Sequence, residues 1–196
     1  MFPAFVTSPV PLKMLDELLV ESRKGTCAML GDDEGIPGDC ICILDTKDLN
    51  SVEHGSRTPM QPFESPFIGW TDDECRSWMN EHRHPYFAEY NFIVLDEDTV
   101  KNKTCRVGYT YVNEPMGDKM LTTDFFTCMH NMPAIDVGML LWYEIELLGT
   151  DEVDDRAEFE ESLREAYETY VRMESERSER DRRRFPHAPP HTPKGL

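Results

Sequence analysis

The 196-residue sequence predicts an α/β fold, or an α+β variant of it, in which a small central sheet of three to five strands is flanked by helices. Two short runs, residues 40–45 (CICILD) and 91–96 (NFIVLD), are almost continuously apolar, which is typical of strands that are buried on both faces. Segments with helical periodicity lie before and between these runs, and this alternation of element types characterises α/β domains. We place this domain at residues 1–150.

The first predicted element is a helix over residues 8–24. Ser8 can cap this helix, Pro9 suits its first turn, and Gly25 is a typical stop. Its apolar face repeats every three to four residues and consists of Leu12, Leu15, Leu18 and Leu19. The glycine-rich residues 31–39 then predict a loop before the first strand.

A long loop and a capped helix follow that strand. Residues 50–70 interleave prolines with aromatic side chains, and a loop of this length inside a domain is usually functional. We therefore predict an ordered lid over the sheet, whose binding residues are Phe63, Phe67 and Trp70. Thr71 and Glu74 have the spacing of a capping box, which predicts a helix that begins there.

The second half of the chain predicts further elements of both types. They are a turn at 98–103, a strand at 104–112, a short strand or helix at 121–128, an apolar helix at 135–148 and a charged helix from 154 to about 183. We treat residues 151–184 as a C-terminal helical segment beside the domain. The proline-rich residues 185–196 cannot bury a core, so we expect a disordered tail.

The charge of the chain excludes several classes of partner. Thirty-eight acidic residues against 20 basic ones give a net charge of −18, which disfavours nucleic acid and anionic membrane surfaces as partners. The charge is unevenly distributed: residues 172–196 carry +3, so residues 1–171 carry −21. The basic end could bind the acidic body of a second copy, so we expect a salt-sensitive homodimer.

The six cysteines favour a reducing compartment. The first residues show neither a basic region nor a continuous apolar run of the secretory type, and several cysteines lie inside apolar strand-like runs, where free thiols are common. We therefore expect reduced, buried cysteines in a cytoplasmic protein. No C-x-x-C pair or glycine-rich phosphate loop is present, so we expect neither a metal nor a cofactor.

Four residues are candidates for acid–base catalysis. Asp45 and Asp96 each end an apolar strand, where ligands of α/β sheets usually bind. The alternative is that each carboxylate only caps a turn. His130 and Asp136 are the second candidate pair, because a carboxylate can fix the tautomer of an imidazole.

One stretch resembles a known family. It runs from Ile68-Gly69-Trp70-Thr71 through NFIVLDEDTV and TCRVGYTYV to HNMPAIDVGMLLWYEI. Residues 68–148 thus resemble a small α/β family of actinobacteria and fungi that is known only as a domain of unknown function. The resemblance implies an intracellular α/β fold and assigns no catalytic residue. The cysteine-rich first strand, the long loop and the C-terminal helix depart from the family pattern.

Three functions are compatible with these features. The first is a small acidic accessory or protein-interaction protein, which the fungal context would place in a secondary-metabolite pathway. The second is a cofactor-independent isomerase, cyclase or hydrolase that acts on a small molecule under the aromatic lid. The third is a domain that binds Mg²⁺ or Ca²⁺ through the acidic strand ends, where Glu97 and Asp98 follow Asp96.

Overall fold

The computed structural model describes residues 1–30, 40–110 and 120–129, together with residue 132 and eight residues between 161 and 175. Its strands are β1 (Phe2–Val6), β2 (Ile41–Ile43), β3 (Asn91–Leu95), β4 (Thr104–Tyr109) and β5 (Met120–Asp124). Its helices are α1 (Leu12–Leu30), α2 (Asp72–Glu81) and α3 (Glu97–Asn102), and Leu49–Ser51 forms one turn of 3-10 helix.

The five strands form one mixed sheet in the order β2-β1-β3-β4-β5. β1 is parallel to both β2 and β3, and β4 and β5 continue the sheet in antiparallel fashion. The α/β prediction is therefore confirmed, and the strands predicted at 40–45, 91–96 and 104–112 are β2, β3 and β4.

β1 lies at the centre of the parallel part of the sheet, and the sequence reading missed it. Its second residue, Pro3, lacks the N–H that a ladder needs, and proline is rare in central strands. The pairing explains why proline is tolerated there. Phe2 N donates to Cys40 O, and the register with β3 begins only at Ala4, so Pro3 precedes that ladder.

The sheet buries both of its faces. On one face the α1 residues Leu15 and Leu18 pack with Val6 and Ile93. On the other face the α2 residue Trp78 packs with Phe5. This arrangement follows from the strand order, since right-handed crossovers in opposite directions place their helices on opposite faces.

Two helix boundaries differ from the prediction. α1 begins at Leu12 rather than near Ser8 and continues beyond Gly25. Gly25 does not end the helix because its role is close packing: a Cβ atom there would lie 1.7 Å from the backbone oxygen of Phe126. The predicted turn at 98–103 is the short helix α3, which ends at Lys103 in the left-handed conformation.

Other predictions have mixed outcomes. The capping box at Thr71 and Glu74 is present at the start of α2, and the segment predicted as strand or helix at 121–128 overlaps β5. The helix at 135–148, the loop at 31–39 and the tail at 185–196 lie outside the described residues. Of the charged helix at 154–183, only eight residues are described, all helical, so its length stays a prediction.

Among the described residues, no helix combines the length and the apolar character needed to cross a bilayer.

Candidate functional site

The site forms where β1, β2 and β3 end, which we call the carboxyl edge. The chain runs from β1 outward to β2 and then crosses back to β3 on the other side of β1. The winding direction therefore reverses between β1 and β3, and open parallel sheets bind their ligands outside such a reversal.

In this protein the chain itself fills that crevice. Residues 63–70, which we call the edge loop, cross the end of β1 and bond to it. Gly69 N donates to Thr7 O at 2.8 Å, and the Ser65 hydroxyl donates to Val6 O at 2.6 Å. Thr7 N in turn donates to Leu95 O at 2.9 Å, which closes the gap between β1 and β3.

The predicted lid residues anchor the edge loop to the body. Phe67 is completely buried and meets Phe5, Trp70 and Trp78 edge to face, with ring centroids 4.9, 4.9 and 5.5 Å away. Phe63 packs instead against the core on the α1 face. The aromatic residues therefore hold the loop against the body, with Phe67 packed into the core, and a binding role of Phe63, Phe67 and Trp70 stays a prediction.

Asp96 makes the contacts of a helix cap. One carboxylate oxygen accepts from the backbone N–H groups of Asp98 (2.9 Å) and Thr99 (3.2 Å) at the start of α3. The other oxygen accepts from the Arg106 guanidinium at 2.7–2.8 Å. These contacts match the turn-capping alternative, and a catalytic role of Asp96 stays a prediction.

Arg106 links two acidic helix starts. Besides Asp96 it contacts Asp72, in the first turn of α2, with Nη1 2.5 Å from Oδ2. Burial alone would lower the pKa of Arg106, but the hydrogen bond and charge of Asp72, together with Asp96, raise it above its ordinary value. The guanidinium thus ties α2, β3 and β4 together beside the edge loop.

Asp45 lies apart from Asp96. It follows β2 and is exposed, whereas Asp96 follows β3, and β1 runs between them. The strands that they follow, β2 and β3, are two strand spacings apart, about 10 Å. His130 and Asp136 lie outside the described residues. Their role as an acid–base pair stays a prediction.

A lysine that sequence reasoning did not single out completes the edge. Lys47 places its ammonium nitrogen 4.3 Å from the centroid of the Trp70 ring and 5.6 Å from that of Phe67. A cation over an aromatic face is attracted by the negative potential of the ring. No local pattern predicts this contact, because it joins two loops that are far apart in sequence.

The carboxyl edge is acidic and carries an apolar tip. Ile68 is 51% exposed at the turn of the edge loop, where Gly69 adopts a φ of +82°. Exposed carboxylates lie at the start of α2, at the start of α3 and after β2. They are Asp45, Asp48, Asp73, Glu74, Glu97 and Asp98.

The hydrogen bonds of Glu74 show how firmly one of these carboxylates is held. The backbone N–H and the hydroxyl of Thr71 both donate to it, at 2.7 and 3.0 Å. These bonds lower the pKa of Glu74 below its ordinary value. The carboxylate therefore stays ionised to a more acidic pH than a free side chain would.

The buried thiols are poor nucleophiles. Burial, with a contribution from Asp45, raises the pKa of Cys42 to about 11, and burial with Asp72 and Glu74 raises that of Cys75 to about 12. A hydrogen bond with Cys105 and complete burial raise the pKa of Cys128. Thiols in this state are protonated at neutral pH and behave as small apolar side chains.

Within the described part of the chain, no three histidine, cysteine or acidic side chains are grouped so as to hold a metal ion. Comparisons of the chain with protein-family models, with curated protein sequences and with solved structures gave no match. The resemblance over residues 68–148 therefore stays a prediction, and the site is interpreted from its own geometry.

Proposed function

We propose that this chain is an accessory protein-interaction module that binds a basic segment of a partner at the carboxyl edge. The observation that carries the proposal is the exposed Ile68 on an anchored loop, with exposed carboxylates at the neighbouring ends of the helices and strands. Apolar anchors inside a polar rim are the usual anatomy of protein interfaces.

The filled crevice supports binding of a surface rather than of a small substrate. Small-molecule sites are concave and largely preformed, but here Phe67 and the loop backbone occupy the place where such a site would lie. Both oxygens of Asp96 are also engaged by backbone donors and by Arg106. An acidic surface of this kind would accelerate encounter with a basic partner and select against acidic ones.

The proposal places this binding in the cytoplasm. The described residues contain no disulfide, and reduced cysteines persist in compartments that are kept reducing.

Charge-neutral substitutions at the carboxyl edge test this function. The edge variant carries Asp45→Asn, Glu97→Gln and Asp98→Asn. The matched control carries Glu53→Gln, Glu81→Gln and Glu89→Gln, which remove the same charge from exposed positions that are not among the edge carboxylates named above. The measurement is the dissociation constant of a fluorescent arginine-rich peptide for the full chain, by anisotropy at low and high salt.

The edge variant should bind the peptide roughly tenfold more weakly at low salt, because three exposed carboxylates at about 0.5 kcal/mol each contribute about 1.5 kcal/mol to such a contact. The control should stay within about twofold of the unmodified chain. Equal losses in the two variants would mean that only net charge matters, which would contradict a site at the edge.

A further inference from the structure

The Trp70 ring is an aromatic surface held in a fixed orientation. Trp70 N donates to Phe67 O at 3.0 Å, and its ring packs edge to face on the buried Phe67, at an interplanar angle of 83°. The ring is only partly buried. Because the ring is anchored on the buried Phe67, its orientation is fixed before a ligand binds, which lowers the entropic cost of binding.

The chain already places a cation on this surface. The Lys47 ammonium lies 4.3 Å from the Trp70 centroid, and Lys47 itself is exposed, in the loop between Asp45 and Asp48. The contact of Lys47 with Trp70 shows that the ring face can bind a cation. An exposed lysine on a flexible stem is held weakly, so another cation can replace it.

We propose that the Trp70 face is a binding site for an arginine guanidinium, and that arginines of residues 177–184 in a second copy of the chain displace Lys47 from it. This inference rests on the proposed function and names the ligand of its site. A planar guanidinium stacks on an aromatic face and is more weakly hydrated than an ammonium, so arginine competes favourably with Lys47.

Charge complementarity selects this occupant. The segment 177–184 (RSERDRRR) holds five arginines against two acids, within an end of the chain that carries +3, whereas residues 1–171 carry −21. Asp45 and Asp48 flank Lys47 in the sequence. Their negative charges would therefore attract an arginine that replaces Lys47. Several arginines in one short segment allow neighbouring contacts with the acidic rim at the same time.

The test measures self-association of the full chain by sedimentation equilibrium over a range of concentrations, at low and high salt. Lys47→Met removes the competing cation and should strengthen association about twofold to fivefold. Trp70→Leu, and separately the triple variant Arg182→Ser, Arg183→Ser and Arg184→Ser, should each weaken association about fivefold or more. Lys47 is exposed, so its substitution tests the site without disturbing the core.

A monomer at every concentration, or association that responds to neither Lys47→Met nor Trp70→Leu, would overturn the inference. A second arm adds the peptide of residues 177–184, and its all-lysine counterpart, to the triple arginine variant. The arginine peptide should bind about threefold more tightly than the lysine peptide, and equal affinities would overturn the assignment to guanidinium. If the edge variant weakens binding of the peptide while Trp70→Leu does not, the inference fails and the proposed function stands.

Discussion

Replacing Phe67 by alanine tests whether the edge loop is a wedge in the core or a movable lid. Phe67 has no exposed surface and makes edge-to-face contacts with Phe5, Trp70 and Trp78. Truncation of a buried phenylalanine costs about 3–5 kcal/mol of the free energy of unfolding, and the three aromatic contacts keep this site away from the lower end of that range. We expect a loss of about 4 kcal/mol, which is a large part of the total stability of a typical domain.

The assay is urea unfolding of the full chain, followed by far-ultraviolet circular dichroism. Ile68→Ala is the matched control, because Ile68 neighbours Phe67 in the same loop but is half exposed, and it should cost no more than about 0.5 kcal/mol. A loss below about 1 kcal/mol for Phe67→Ala would refute the reasoning, since a side chain on a movable lid contributes little to global stability.

Three further predictions concern the framework of the site. Arg106→Gln should lower the free energy of unfolding by about 1–3 kcal/mol in the same assay, because it leaves the carboxylates of two helix starts without their shared cation; an unchanged value would contradict the bridging role. Gly25→Ala should lower it by about 2 kcal/mol or more, since the new methyl group overlaps the backbone of Phe126, and a neutral effect would show that α1 is free to shift. The raised pKa values of Cys42 and Cys75 predict that stability falls above pH 9, because the unfolded thiols lose their protons there while the folded thiols keep theirs. The free energy of unfolding should fall by up to about 1.4 kcal/mol per pH unit for each thiol. If the stability of the double variant Cys42→Ala, Cys75→Ala falls as steeply with pH, the thiols are not the cause.

The strands that pass through the core were largely predictable, because burial on both faces leaves a continuous apolar run. β2 and β3 show this pattern in CICIL and NFIVL. β1 is equally apolar but was not predicted. Its place at the centre of the sheet depends on pairing with strands that lie about 40 and 90 residues away, and no local pattern reports that.

The candidate site was predictable only in part. The ordered aromatic loop and the acidic strand ends were expected from the sequence, and Asp96 does end its strand. The contact of Asp96 with Arg106 could not be predicted without the register of β3 with β4. One signal for Arg106 was available: a charged residue between Cys105 and Val107, both buried, suggests a paired side chain beside the sheet.

Backbone amide chemical shifts of the full chain, recorded during titration with the arginine-rich peptide of residues 177–184, test the central claim most directly. If the carboxyl edge is the binding surface, the perturbed amides will cluster at residues 45–48, 67–74 and 96–98, and the perturbations will vanish at high salt. Perturbations centred on residues 81–91, at the opposite end of α2 and β3, would contradict the claim. So would a spectrum that does not change.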